Sequence, residues 1–301
     1  MSERRSILHM FTPGAQMSPF DINIAVDAGF DVVVPHASMG LNDVPALTQD
    51  AIFSRGPKGV KRTAIFIGGR ETGLADDMLN AARKAMVPPF EVSVFADPSG
   101  AFTTAAAMVA CAEKLLERDH HVGWKDLNVA VVGGTGPVGG AAAVLAAQAG
   151  AKVTVTSHSD LARAQRVCAD LEHRYGVRVT PLIVRDVAQR TALLADVHVV
   201  LACAKAGVRV VSAEDLQAAK ALLVAADVNA VPPAGVEGVG VMDRGKPFAA
   251  ASGKALGLGA LAIGNVKYQT EKALFEAMLA AEKPVYLDFR EAFATAKRHV
   301  P

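Results

Sequence analysis

Residues 128–140 read NVAVVGGTGPVGG. Within them Gly134, Gly136 and Gly139 are spaced as G-x-G-x-x-G, with Thr135, Pro137 and Val138 between. Glycines at this spacing let bare backbone approach a phosphate. The first permits a tight turn and the second removes the side chain that would hold a pyrophosphate away. The third lets a helix pack close to the strand before it. A helix that starts there directs unpaired N–H groups and the positive end of its dipole at the anion. The spacing alone is common. Here an apolar run precedes it, an Ala-rich stretch follows, and a second β-branched run begins near Lys152. That strand–turn–helix–strand context predicts a dinucleotide site.

In such a site an acid at the end of the second strand holds the ribose 2′-OH of NAD. The corresponding stretch is Thr156-Ser157-His158-Ser159, with Arg163 one turn into the next helix. Hydroxyls, an imidazole and a guanidinium accommodate a 2′-phosphate that an acid would repel. Arg163 also reads as an ordinary solvated helix residue. The local chemistry therefore tolerates NADP and tilts toward it. Residues near the carboxyl ends of later strands should line the same crevice. These are Cys203-Ala204, and Asp227 with Asn229 ahead of Pro232-Pro233. Ala202 and Ala204 are small enough to admit a nicotinamide, and Asp227 equally suits a turn. The sequence carries no serine-hydrolase elbow, no H-E-x-x-H and no metal-ligand spacing, so no metal is expected. The polar residues left in apolar, glycine-rich surroundings are Asp21, Asp97, Thr103, Thr104 and Lys267.

These residues need a frame. In the first half an apolar run (7–11) is followed by a helix-like 18–29. There Ser18 suits the N-cap, Pro19 the first helical position and Asp21 the acid of a capping box. Strands are predicted at 30–37, 63–69 and 90–96, and helices at 41–54, 72–86 and 101–118. The polar patch 117–126, with His120-His121, reads as a linker. Alternation then resumes. Strands are predicted at 127–133, 152–157, 177–184, 197–204 and 221–230, and helices at 137–149, 160–174, 186–195 and 213–220. The Pro/Gly-rich tract 231–247 reads as a loop, 257–283 ends with a helical period, and 288–299 reads as a last helix with Asp288 as cap. The pattern is α/β in two domains: an N-terminal parallel-sheet domain and a Rossmann dinucleotide-binding domain.

Composition agrees. The 301 residues suffice for two domains, and 51% apolar content supports a large core. Lys plus Arg number 31 against 30 Asp plus Glu, which argues against nucleic acid or an anionic membrane as partner. Three cysteines with no C-x-x-C argue against a disulfide framework and for a reducing cytoplasm. The N-terminal arginines precede an apolar run too short for a signal peptide, and 101–112 is too short and too rich in Ala and Thr to span a bilayer.

The segments MSPFDINIAVDAGF, ALTQDAIFSRGP, VFADPSGAFTTAAAMVA, VVGGTGPVGG, VAADVNAVPPAGVEGV and GALAIGNVKYQTEKALFEAML stand in this order along nearly the whole chain. Together they resemble the bacterial NAD(P)-dependent methylene-tetrahydromethanopterin dehydrogenases, and most of all the type B enzyme of methylotrophs. A more remote likeness is to methylene-tetrahydrofolate dehydrogenases. The resemblance implies hydride transfer from the methylene group of methylene-tetrahydromethanopterin to NAD(P)+ in one-carbon oxidation. It assigns Asp21 and Lys267 to the reacting centre. It places Asp97, Phe102, Thr103 and Thr104 at the pterin, with capping of the 101–118 helix as the alternative for Asp97, Thr103 and Thr104. It matches His158 to a histidine of dual-specificity members, which implies use of both NADP and NAD. It also implies a pterin domain at 1–118 joined by helices of 268–301, a Rossmann domain at 119–267, an active cleft between them, and a homo-oligomer, a trimer. The rival readings are a methylene-tetrahydrofolate dehydrogenase, a shikimate-type enzyme, and a non-catalytic NADP sensor.

Overall fold

The structure, a computed structural model, describes residues 4–301; Met1–Glu3 of the N-terminal segment lie outside the described residues. The chain divides into two compact units. The first holds the chain up to Thr103 together with Tyr268–Thr295; the second holds Thr104–Lys267 with Ala296–Pro301.

The first unit begins with β1 (Ile7–Phe11), α1 (Pro19–Asp27), β2 (Val32–His36), α2 (Val44–Phe53), α3 (Gly56–Val60), β3 (Thr63–Ile67), α4 (Thr72–Lys84) and β4 (Ser93–Ala96). All five residues of β3 and all four of β4 are buried, as expected of parallel strands covered on both faces. The helix α3 was not expected, because its Gly56-Pro57 start reads as a turn; proline is tolerated there in the first helical turn. A long helix, α5 (Ala101–His120), then carries the chain across the division of units. The boundary therefore falls at Thr103 and Thr104, within the helix, and not at the polar patch after it.

The second unit runs β5 (Asn128–Val132), α6 (Pro137–Gln148), β6 (Lys152–Ser157), α7 (Leu161–Tyr175), β7 (Thr180–Ile183), α8 (Val187–Leu194), β8 (Val199–Ala202), α9 (Ala213–Leu216) and β9 (Val224–Asp227). Two further strands follow, β10 (Arg244–Pro247) and β11 (Leu256–Leu258). Its seven strands lie in the order β10-β11-β9-β8-β5-β6-β7. All pairs are parallel except β10 with β11, where the register shifts between Arg244 and Lys246. The tract 231–247 is thus not all loop: its last four residues form an antiparallel edge strand, an edge position that tolerates the Pro247 ring.

The helix α10 (Ala260–Ala280) passes back into the first unit, followed by β12 (Tyr286–Leu287) and α11 (Phe289–His299). Phe275 of α10 packs against Phe66 and Phe95 with ring centroids 5.4 and 5.3 Å away. The end of α11 departs from expectation. From Ala296 it belongs to the second unit, where Lys297 pairs with Glu113 at 2.6 Å. The first sheet is fully parallel, in the order β12-β4-β3-β1-β2. Among the described residues no helix is long and apolar enough to cross a membrane.

Candidate active site

In an open parallel sheet, ligands bind beyond the carboxyl ends of the strands where the strand order reverses. Each sheet has one such point. In the second it lies between β5 and β8, because the chain lays β6 and β7 on one side of β5 and β8 and β9 on the other. In the first it lies between β1 and β3.

The glycine cluster sits at the reversal in the second sheet. Gly133 has φ +75°, and a Cβ there would stand 2.7 Å from Ala204 Cα. The tight turn is thus made by Gly133, which the motif spacing did not single out; Gly134 instead needs to be glycine because a Cβ would meet Val155 Cγ1 at 2.8 Å. A Cβ on Gly139 would stand 2.5 Å from Gly134 Cα, so its absence lets α6 lie against the turn. Gly136 is different: a Cβ there meets nothing nearer than Gly133 O at 3.6 Å. Gly136 caps α6 and Pro137 follows at its start, leaving the amides of Val138 and Gly139 in the first turn without helical acceptors. Thr135 is half-buried, and its carbonyl accepts from Arg163 Nη2 at 3.5 Å. This backbone cradle, shaped by three positions where a Cβ would collide, fits a pyrophosphate.

A cavity of about 320 Å³ opens beside the cradle, lined by Gly133, Ser157, His158, Ala204, Arg190 and Arg209 among others. It gathers the predicted strand end with two arginines that sequence reasoning missed. Arg163 is not in its lining, and neither is Ser159, which is exposed. His158 Nδ1 lies 3.3 Å from Val184 O. Asp160, which follows this stretch in sequence, caps α7 by accepting from Arg163 N at 2.8 Å.

Cys203, Asp227 and Asn229 serve the chain itself. Burial, then Asp227, pushes the Cys203 thiol well up, so it stays protonated. The Asp227 carboxylate accepts from Asn229 N at 2.9 Å and from Val236 N at 3.0 Å. Burial raises its pKa, opposed by these backbone bonds. Asn229 Oδ1 accepts from Gly207 N and Val231 N, and its Nδ2 donates to Pro233 O. Both side chains therefore hold the loop after β9 in shape.

At the reversal in the first sheet there is a cavity of about 620 Å³. Thr12–Ser18 after β1, Gly69–Glu71 after β3 and Ser99 after β4 wall it, with Asp21. Asp21 is only 2% exposed, and Ser18 makes no side-chain cap hydrogen bond, so the expected capping box is not formed. Ser99 holds a left-handed φ of 56°, and its hydroxyl donates to Gly69 O at 2.8 Å. Such strain in a non-glycine residue is typical of ligand sites. Arg70 and Glu71 also line this cavity. Their signal was the end of the TAIFIGG strand, which by the rule of strand ends should have nominated them.

The other predicted pterin residues are not in that wall. Asp97 is fully buried and accepts from Phe102 N at 2.8 Å and from Thr103 Oγ1 at 2.5 Å, anchoring the start of α5. Phe102 is buried against Phe289, with centroids 5.3 Å apart. Thr104 is half-buried on α5 in the second unit. Lys267 is 6% exposed on α10, at the residue where the chain leaves the second unit. Among the described residues no group of three or more His, Cys, Asp or Glu could hold a metal ion.

Residues 19–99 match the family model described as methylene-tetrahydromethanopterin dehydrogenase, N-terminal. Over 292 residues, 97% of this chain and 98% of the relative, the chain is 46% identical to the NAD(P)-dependent methylenetetrahydromethanopterin dehydrogenase of Methylorubrum extorquens AM1. It is 30% identical over 293 residues to the bifunctional protein MdtA of the same organism, again covering 97% and 98%. Among solved structures, the quinate dehydrogenase of Corynebacterium glutamicum in complex with NAD gives a TM-score of 0.53 at 14% identity, covering 97% of this chain and 98% of that one. That last likeness is one of fold. The near-full-length identity decides the family: the chain belongs to the NAD(P)-dependent methylenetetrahydromethanopterin dehydrogenases.

Proposed function

We propose that this protein oxidises methylenetetrahydromethanopterin with NAD(P)+. A hydride leaves the methylene carbon and the methenyl cation remains, a step of one-carbon (formaldehyde) oxidation. The observation that carries this reading is 46% identity over 97% of the chain with a protein named for that activity.

When bound, the nicotinamide supplies the hydride acceptor. Gly133–Gly139 and the first amides of α6 hold the pyrophosphate by backbone donors and the helix dipole. Ser157 and His158 face the ribose at the end of β6, and Ala204 keeps the crevice open beside Gly133. In the first unit, Asp21 presents a carboxylate to its cavity. There it accepts hydrogen bonds from the N–H edge of a pterin, and its charge favours a cationic product. Lys267, assigned by the resemblance and in neither cavity wall, would as a cation not stabilise that product, so its proposed role is to position the substrate or tune the reaction's reversibility. The carbon that loses hydride lies between two nitrogens that share the resulting charge. No proton leaves a hydroxyl, and this accounts for a site without a Ser/His/Asp relay.

The test is direct. Purified protein with methylenetetrahydromethanopterin and NADP+ or NAD+ should produce reduced-nicotinamide absorbance. Methylenetetrahydrofolate run in parallel separates the folate alternative. Silence with both nucleotides and intact pterin would overturn the reading.

A further inference from the structure

The cavity beside the glycine cradle holds a guanidinium whose orientation is set from behind. Arg190, on α8, donates through Nε to Asp215 Oδ2 at 2.9 Å. Asp215 is 1% exposed, and the same oxygen also accepts from Ser212 N and Ser212 Oγ, each at 2.9 Å. This buried anchor fixes the plane of the fork. Neither terminal nitrogen of Arg190 has a protein partner among the described residues, and the residue lines the cavity together with Ser157 and His158. No carboxylate lines it. Its two arginines are each paired with an acid outside the lining, Arg190 with Asp215 and Arg209 with Glu237 at 3.1 Å, while Asp160 caps α7. A cavity at the end of the second Rossmann strand, with guanidinium donors and no carboxylate in its wall, has the chemistry to receive a phosphate on the adenosine ribose.

We propose that Arg190, held by Asp215, is the residue that reads the 2′-phosphate of NADP, and that Arg163 is not. A planar fork with two free terminal amines suits a phosphate in the bidentate manner. Arg163 is spaced more conventionally, yet it is exposed, absent from the cavity lining, and turned to the Thr135 carbonyl. Arg190 is therefore a specificity residue and Asp215 its positioning residue. The inference rests on the second unit binding the dinucleotide.

The experiment is equilibrium binding by calorimetry to the intact chain, with NADP+, NAD+, 2′,5′-ADP and 5′-AMP as probes. Arg190→Met should weaken NADP+ and 2′,5′-ADP by about tenfold or more, the scale of a lost charge-assisted hydrogen bond. NAD+ and 5′-AMP should stay within about twofold of the parent, and Arg163→Met should leave all four near the parent values. Arg190→Lys keeps the charge but loses the fork and the Asp215 anchor, so it should fall between. It also serves as the second variant should the methionine protein fail to fold, with circular dichroism as the control. Equal loss for phosphorylated and unphosphorylated probes, or loss of discrimination in Arg163→Met alone, overturns the proposal. So does an Arg190→Met or Arg190→Lys protein with unchanged affinities. If the parent chain binds neither dinucleotide, the nucleotide reading itself fails, and that outcome is distinct from the others.

Discussion

His9 on β1 and His36 on β2 face one another, with Nδ1 of the first 3.1 Å from Nε2 of the second. One ring N–H serves both, so a second proton has no acceptor and meets a like charge. Burial first, then His36 and Arg55, lower the His9 pKa from the ordinary 6.5, and burial lowers that of His36. A group whose folded pKa is depressed binds fewer protons in the native state than in the unfolded one. Its stabilisation is therefore complete above 6.5 and is lost as pH falls through the folded values. The urea midpoint of the parent should drop between about pH 8 and pH 5, and His9→Gln should flatten that slope. A parent curve as shallow as that of the variant removes the pair from the account. Roles at this scale were the least legible in the sequence. Asp97, Asp227 and Asn229 stand in motifs that suit a ligand, but each carboxylate or amide meets backbone N–H groups a few residues along its own chain. Only the path of the loop decides between those partners and a ligand, and residue type does not encode that path.

The strand–turn–helix from β5 to α6 separates two demands made on glycine. At Gly139 the demand is internal: its missing Cβ keeps 2.5 Å from becoming a collision with Gly134 Cα, both atoms being backbone. Gly139→Ala should therefore destabilise the chain by about 1–3 kcal/mol, the usual scale of overpacking. At Gly136 the space is open, with 3.6 Å to the nearest carbonyl and an ordinary φ of −89°. Gly136→Ala should fold as the parent does and yet lose dinucleotide affinity, because the methyl occupies the approach of the phosphate. Urea melts and binding isotherms on the two variants distinguish fold from ligand. Normal dinucleotide binding by Gly136→Ala would mean that the loop is not the cradle. Most elements of this length were readable: the β-branched runs in β3, β5 and β6 announce themselves, and α7 and α8 stand within the predicted 160–174 and 186–195 to within a residue. The strands β10, β11 and β12 were not. They have four, three and two residues, and glycine or proline interrupts β10, so pairing with a neighbour defines them where pattern does not.

At the scale of the molecule, one parallel and one mainly parallel sheet each offer a crevice at their own reversal of strand order, and different residues furnish each. A dehydrogenase with two ligands needs two such seats, and the proposed function puts one in each unit. Alternating strands and helices made the two-sheet plan visible in the sequence. The strand order, which locates both crevices, comes from long-range pairing such as β5 with β8 and β1 with β3. The proposed division of labour has a consequence for Asp21, which is buried in the wall of the first unit's cavity while the glycine cluster proposed to hold the dinucleotide belongs wholly to the second. Asp21→Asn keeps the size of the side chain but removes the charge and trades one acceptor for a donor. It should weaken pterin binding or lower kcat/KM for the pterin by about tenfold to a hundredfold, the range for a hydrogen bond to a charged group. NADP+ affinity, measured alone by calorimetry, should not change. If the variant loses NADP+ affinity while its circular dichroism and urea midpoint match the parent, the assignment of one ligand to each unit is wrong. If it keeps full activity with the pterin, Asp21 is a buried structural acid and the substrate is held elsewhere.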